Sequence, residues 1–341
     1  MIDPLRLLID FAAFYSIYLI LSTSLNLEYG YTGIPNFGKV LFFAGGAFVV
    51  GSLTARMLAP LAGVDLSAMD YKTNNVLVSS LVTSFLSSQP ALSLAVLLSM
   101  LVLGALVGAL LGWLASYPAI RLREDYLAMT LVVAGELLRI VALNYDPLVC
   151  GTLGVAVPNP YSFLGGIALD AFRSGFMLCT ALVVWLATER LVNSPFGRLL
   201  RAVRDNELAA EALGKDVVKV RMTVLVLGSA MAGLAGALYA FYIGIVHPDD
   251  YEPIRTFVVW VMVVIGGAGN NLGAAIGALL YLLVDRVIAI AKYYMPPLPF
   301  DINYLSYIAL GAILILVLMY KPEGLVPERP PKIGKKKRPA G

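Results

Sequence analysis

The chain holds one histidine, His247, and two cysteines, Cys150 and Cys179, among 341 residues. One imidazole furnishes neither a transition-metal site nor a Ser/His/Asp or Cys/His arrangement, and two thiols make no disulfide framework. The acidic residues in apolar sequence are too scattered for a paired-aspartate hydrolase. Gly33-Ile-Pro-Asn-Phe-Gly38-Lys39-Val40 approaches a phosphate-binding loop. However, Val40 stands where a Ser or Thr would hold Mg²⁺, and no strand precedes it. No catalytic, cofactor or metal residue is therefore expected. Glu136 and Arg139 are a different matter, because they lie one helical turn apart inside an apolar stretch. Charges at membrane depth face a cavity or each other, so the two read either as an ion pair orienting its helix or as a substrate contact. Asp285 and Arg286 repeat the situation more weakly.

The elements that must position these groups are membrane helices. The chain is 59% hydrophobic and 14% charged, with a mean hydropathy of +0.82, far from the polar surface that a soluble domain of this length needs. Several apolar windows approach the ~20 residues that cross a bilayer as a helix. The expected fold is an all-α polytopic membrane protein with about ten spans: 10–27, 40–59, 75–89, 91–115, 125–144, 174–192, 222–246, 256–269, 273–291 and 303–320. Eight spans plus re-entrant segments also satisfy the pattern. The third candidate is rich in serine and the eighth is short. No cleaved leader is expected, since Asp3 and Asp10 accompany Arg6 and no small-residue cleavage site follows. A transmembrane domain over 1–320 is expected to contain a cytoplasmic loop at 194–221. A basic, disordered tail follows at 321–341.

Lys and Arg in short loops set orientation. Residues 190–221 carry seven, and 321–341 carry another seven. Both segments are expected in the cytoplasm, with Arg121 and Arg123, and with both termini if the third span is a crossing. Segments 28–39, 145–173, 246–255 and 292–302 would then face outward.

Two apolar stretches are broken by glycine. Gly30, Gly33 and Gly38, with Asn36 among them, interrupt the first; Gly266, Gly267, Gly269, Asn270 and Asn271 interrupt the second. Paired breaks of this kind in the two halves of a chain point to a transport pathway, although a short loop between two spans reads the same way. Glycines at four-residue spacing (Gly104, Gly108 and Gly112; Gly269, Gly273 and Gly277) predict close helix packing.

The segment 194–221 carries ten charged residues, each costing roughly 2.5–3.5 kcal/mol at the bilayer centre, so it stays in water. Ser194 and Pro195 mark a helix start. Phe196, Leu199, Leu200 and Val203 share one face of that helix, and Arg198, Arg201 and Arg204 another. Asn206 and Glu207 open a second short helix that Gly214 ends. Its Leu208, Ala209, Ala212 and Leu213 form a small apolar face suited to insertion into a partner. A lone interfacial helix is the alternative, but the basic polar face it would want is missing.

ELAAEALG, residues 207–214, resembles the Glu-Ala-Ala…Gly loop of ABC importer permeases. The wider SPFGRLLRAVRDNELAAEALGKDVVKVRM, with AGLAGALYA, is similar to the M-type permeases of branched-chain amino acid importers. GYTGIPNFG, RLREDYLAMTLVVAGELLRIV, VMVVIGGAGNNLGAAIGA and YKPEGLVP agree in order, so the resemblance runs from about residue 20 to 326. Glu28 stands where that family is mostly apolar. CGTLGV at 150–155 matches the family's outer motif only loosely. The resemblance implies a non-catalytic permease subunit with no cofactor, whose cargo is hydrophobic amino acids or related small amino acids, amides or urea. It implies a second permease, similar or identical, two cytoplasmic ATPase subunits and an extracytoplasmic binding protein, with no nucleic acid. ATPase coupling would fall to Phe196, Gly197, Arg201, Glu207, Leu208, Ala209, Ala210 and Gly214. The candidate pathway comprises Gly30, Gly33, Asn36, Gly38, Glu136, Gly266, Gly267 and Asn270. A stand-alone ion-coupled transporter, supported by Glu136 and Asp285, is the alternative, and it leaves the capped helix pair unexplained.

Overall fold

The computed structural model describes residues 4–66, 69–122, 124–291 and 303–328. Among them the apolar sequence folds into thirteen α-helices. They are α1 (Pro4–Leu25, prolonged by a π-helical turn at Asn26–Gly30), α2 (Lys39–Leu58), α3 (Tyr71–Ser87), α4 (Pro90–Arg121) and α5 (Glu124–Asn144). There follow α6 (Asp146–Val149), α7 (Gly166–Val192), α8 (Pro195–Asp205), α9 (Glu207–Ala212) and α10 (Val217–Ile243). The last three are α11 (Ile254–Gly266), α12 (Asn271–Ala291) and α13 (Asn303–Tyr320). Strands β1 (Val155–Ala156) and β2 (Ile245–Val246) pair antiparallel. Seven of these helices, α1, α2, α4, α5, α7, α10 and α12, are long and apolar enough to cross a membrane. The chain is an all-helical, multi-pass membrane protein.

Absent side chains let the central helices touch backbone to backbone. A Cβ added to Gly108 of α4 would lie 2.4 Å from the Ser229 carbonyl oxygen of α10. One added to Gly46 of α2 would lie 1.9 Å from the Gly233 carbonyl oxygen. α11 and α12 meet in the same way, with Gly277 against the Met262 carbonyl. In lipid, where no hydrophobic effect drives helices together, such contact supplies the packing energy.

Contacts at helix ends sort the loops onto two faces. On one face, Arg204 of α8 reaches the Gly30 carbonyl, Asn271 at the start of α12 bonds Glu189 near the end of α7, and Glu328 pairs with Arg201 and Arg204. On the other, Asp10 near the start of α1 accepts from the Tyr242 hydroxyl at the end of α10, and β1 pairs with β2.

Two expectations of sidedness change. Segment 28–39 belongs to the α8 face, not the opposite one, and the described ends of the chain lie on opposite faces. The cause is α3, expected to be a crossing. Asn75 accepts from the Ala156 amide and Thr83 from the Asn159 amide, while Ser93, at the start of α4, donates to the Pro160 carbonyl. The whole of α3 therefore tracks one loop along one face. The tail also differs from expectation in its first residues: the Leu325 and Val326 amides donate to the Ile265 and Gly266 carbonyls. The expected outward segment 292–302, residue Arg123 and the rest of the tail, 329–341, lie outside the described residues.

Candidate functional site

The helix pair in the polar segment forms through its own caps. Ser194 Oγ accepts from the Phe196 amide at 3.2 Å with Pro195 in the first turn, and Asn206 Oδ1 accepts from the Ala209 amide at 3.0 Å. Gly214 ends the pair at φ +74°, a left-handed conformation that favours glycine. α8 lays Leu200 and Val203 onto the bundle, and Gly197 lies so close to it that an added Cβ would sit 2.0 Å from the Val192 carbonyl oxygen. α9 does the opposite. Leu208 and Leu213 are each 78% exposed, with Ala209 and Ala212 exposed beside them.

The eight residues proposed for coupling therefore divide. Phe196, Gly197, Ala210 and Arg201 face the chain itself, and Glu207 binds Arg221 at 2.9 Å. Leu208 and Ala209 stand free for a partner, and Gly214 turns the chain behind them.

A charged clamp joins α8 to both glycine breaks. Arg204 Nη1 donates to the Gly30 carbonyl at 2.5 Å, and its Nη2 pairs with Glu328 Oε2 at 2.9 Å. Arg201 binds Glu328 Oε1 at 3.1 Å and lies over the Tyr31 ring. Burial alone would lower the Arg204 pKa, but the contacts with Glu328 and Asp205 outweigh it and hold the guanidinium above its usual value. Gly33 packs against the Arg204 side chain. Asn270 Nδ2 donates to the Pro327 carbonyl at 2.9 Å. Gly267 adopts φ +112° with the Val326 carbonyl 2.2 Å from any added Cβ, so only glycine fits under the tail. Asn26 then bridges the two breaks, accepting from the Gly269 amide and donating to Asn271 Oδ1 at 2.9 Å.

Of the pathway candidates, Gly30, Gly33, Gly266, Gly267 and Asn270 thus gather at one locus. Gly38 packs on Leu131 nearby, and Asn36 binds Glu28 at 2.8 Å. Glu136 is elsewhere. It pairs with Arg139 at 2.6 Å, and Arg139 continues to Asp249 at 2.6 Å, tying α5 to the loop after β2 on the opposite face.

Sequence reasoning missed an ion pair inside the bundle. Glu28 Oε2 and Lys39 Nζ lie 2.7 Å apart with side chains 0% and 1% exposed. Lys39 also donates to Ser24 Oγ at 2.6 Å. The available signal was two opposite charges flanking a Gly/Pro break in apolar sequence, since neither can be buried alone. A second omission is a cleft of about 310 Å³ on the face opposite α8, walled by Tyr18, Tyr239, Tyr281, Arg255 and Asp285. It holds charges of both signs, none of them within an obvious motif.

The family model described as "Branched-chain amino acid transport system / permease component" matches residues 7–318. The chain is 35% identical over 320 residues, 93% of its length and 92% of the other's, to the "Probable branched-chain amino acid transport permease protein LivM" of Methanocaldococcus jannaschii. It is 27% identical to the high-affinity LivM permease of Salmonella typhimurium, covering 95% of this chain and 71% of that one. Similarity extends to the LivH permease of the same organism, at 23% over 91% of each chain. No solved structure matches.

Proposed function

Because the chain belongs to the branched-chain amino acid transport system permease family, and is a permease subunit of an ABC importer, we propose that it passes branched-chain or other hydrophobic amino acids across the cytoplasmic membrane. Cytoplasmic ATPases drive it by pushing on α9. A second permease completes the membrane unit, and an extracytoplasmic binding protein delivers the cargo. The observation that carries this reading is the Arg204–Glu328 clamp, which fastens the exposed α9 knob to both glycine breaks. A force on α9 passes through α8 to the Gly30 carbonyl and, through the tail, to the end of α11.

Leu208, Ala209, Ala212 and Leu213 are exposed together on one short capped helix, and a contiguous apolar patch of that kind marks a surface for a partner. Leu208→Asp puts a charge on the face to be buried, where no counter-ion is offered. The complex carrying it is expected to lose ATP-driven leucine uptake and to shed its ATPases or their stimulation by loaded binding protein, with insertion unchanged. Normal uptake with a full complement of ATPase would remove α9 from the coupling role.

The α8 face is assigned to the cytoplasm, where its positive charge belongs. The path then comprises nine passages: the seven membrane-length helices with α11 and α13. At 13 residues and 1.5 Å per residue, α11 spans roughly 20 Å of a ~30 Å core. On this reading the described N-terminal end lies outside. In right-side-out vesicles, with Cys150 and Cys179 replaced, Pro4→Cys and Asp249→Cys are expected to react with an impermeant thiol reagent and Lys215→Cys to stay protected. Protection of Pro4→Cys would restore an even number of passages.

A further inference from the structure

Five helices bound the cleft on the face opposite α8: α1, α10, α11, α12 and α13. Its volume of about 310 Å³ falls at the small end of the ~300–1,000 Å³ typical of ligand sites. Three features specify what would fit.

The first is Arg255. Its guanidinium lies over the Tyr239 ring and donates to the Tyr239 hydroxyl at 3.2 Å, while its carboxylate contact, Asp250, is 3.9 Å away. Five fixed donors with so few partners leave a fork open to an incoming carboxylate. The second is acid in the same lining. Asp285 is in no hydrogen bond or ion pair among the described residues, and exposed Glu252 lies at the rim. The third is an aromatic and apolar interior. Tyr18 and Tyr281 meet edge to face with ring centroids 5.0 Å apart, and Phe14 stands beside them. Arg255 and Tyr239 also wall a smaller adjoining chamber of about 20 Å³ lined by Ile17, Leu21, Phe43 and Val259.

We propose that this cleft is a recognition site for a zwitterionic α-amino acid with an apolar side chain. Arg255 takes the carboxylate, Asp285 attracts the ammonium, and the side chain points toward the inner chamber. The inference rests on the proposed cargo and adds the place and the contacts. Its placement on α11 connects it to the clamp. The helix that presents Arg255 at one end gives the Ile265 and Gly266 carbonyls to the tail at the other. Movement of the tail would thus shift Arg255 against Tyr239 and open or close the neck between cleft and chamber.

Tyr307→Cys, at the mouth, serves as a reporter in the assembled complex, with Cys150 and Cys179 replaced by Ser. L-leucine is expected to slow its reaction with a thiol reagent. Leucinamide, lacking the carboxylate, and 4-methylpentanoate, lacking the ammonium, are expected not to. Arg255→Gln should raise the leucine concentration giving half-protection roughly tenfold or more, and Arg255→Lys should raise it less, because a point charge keeps the attraction but loses the fork. A purely structural Arg255 would leave the discrimination between leucine and leucinamide unchanged in the variants that fold. That result, equal protection by all three compounds, or no protection by leucine overturns the proposal. ATP-driven uptake of leucine by the wild-type complex tests the cargo reading separately, and its outcome does not depend on where leucine binds.

Discussion

Replacing Lys39 with Met is expected to destabilise the permease by about 3–5 kcal/mol, the usual cost of stranding one member of a buried ion pair. Glu28 and Lys39 are sealed from solvent, and one Glu28 oxygen, Oε1, already lacks a partner. It abuts Gly228 of α10 so closely that an added Cβ there would come within 2.1 Å of it. The double change Glu28→Leu with Lys39→Met removes both charges and is expected to recover most of the loss, since hydrophobic replacement of a whole buried pair is often neutral or better. Thermal unfolding of the purified complex in detergent compares the variants. A single variant as stable as wild type, or a double no better than the single, would show that the pair contributes little.

Helix class, the capped α8–α9 pair and the close-packing glycines were legible, because each depends on local composition or spacing. Ser194 and Asn206 accept from amides two and three residues ahead, and the Gly214 amide donates to the Glu211 carbonyl three residues back. Sidedness upstream of α4 was not legible, because positive-charge counting fixes orientation only after the crossings are counted. Treating α3 as a crossing reversed everything before it. Its 17 residues, VSSLVTSFLS among them, carry enough apolar character to resemble a weak span. Only the side-chain bonds of Asn75 and Thr83 to the 156–159 segment reveal a helix lying along one face. The clamp was hidden for another reason. Glu328 sits 124 residues beyond Arg204 in a tail with no apolar period, and the sequence gives such a tail no reason to dock. Its order comes from the Ile265 and Gly266 carbonyls at the unfinished end of α11, which need donors that α11 cannot supply.

That dependence sets the second large effect. Glu328→Lys would put a third cation between Arg201 and Arg204, replacing attractions at 3.1 and 2.9 Å with repulsion. The half-buried setting screens such charges less than open water does. Uptake is expected to fall at least about tenfold, equivalent to roughly 1.4 kcal/mol of coupling. The ATPases stay bound, because Leu208 and its neighbours on α9 are untouched. The signature is therefore ATP hydrolysis without matching transport. This separates a broken link from a lost partner, for which Leu208→Asp is the comparison. Adding Arg201→Glu to Glu328→Lys restores one opposite-charge contact and should recover part of the uptake. Glu328→Gln, which keeps hydrogen-bond capacity but no charge, should fall between wild type and Glu328→Lys. If Glu328→Lys transports as well as wild type, the tail is packing alone. Force from α9 must then reach α1 through the Arg204 contact with the Gly30 carbonyl.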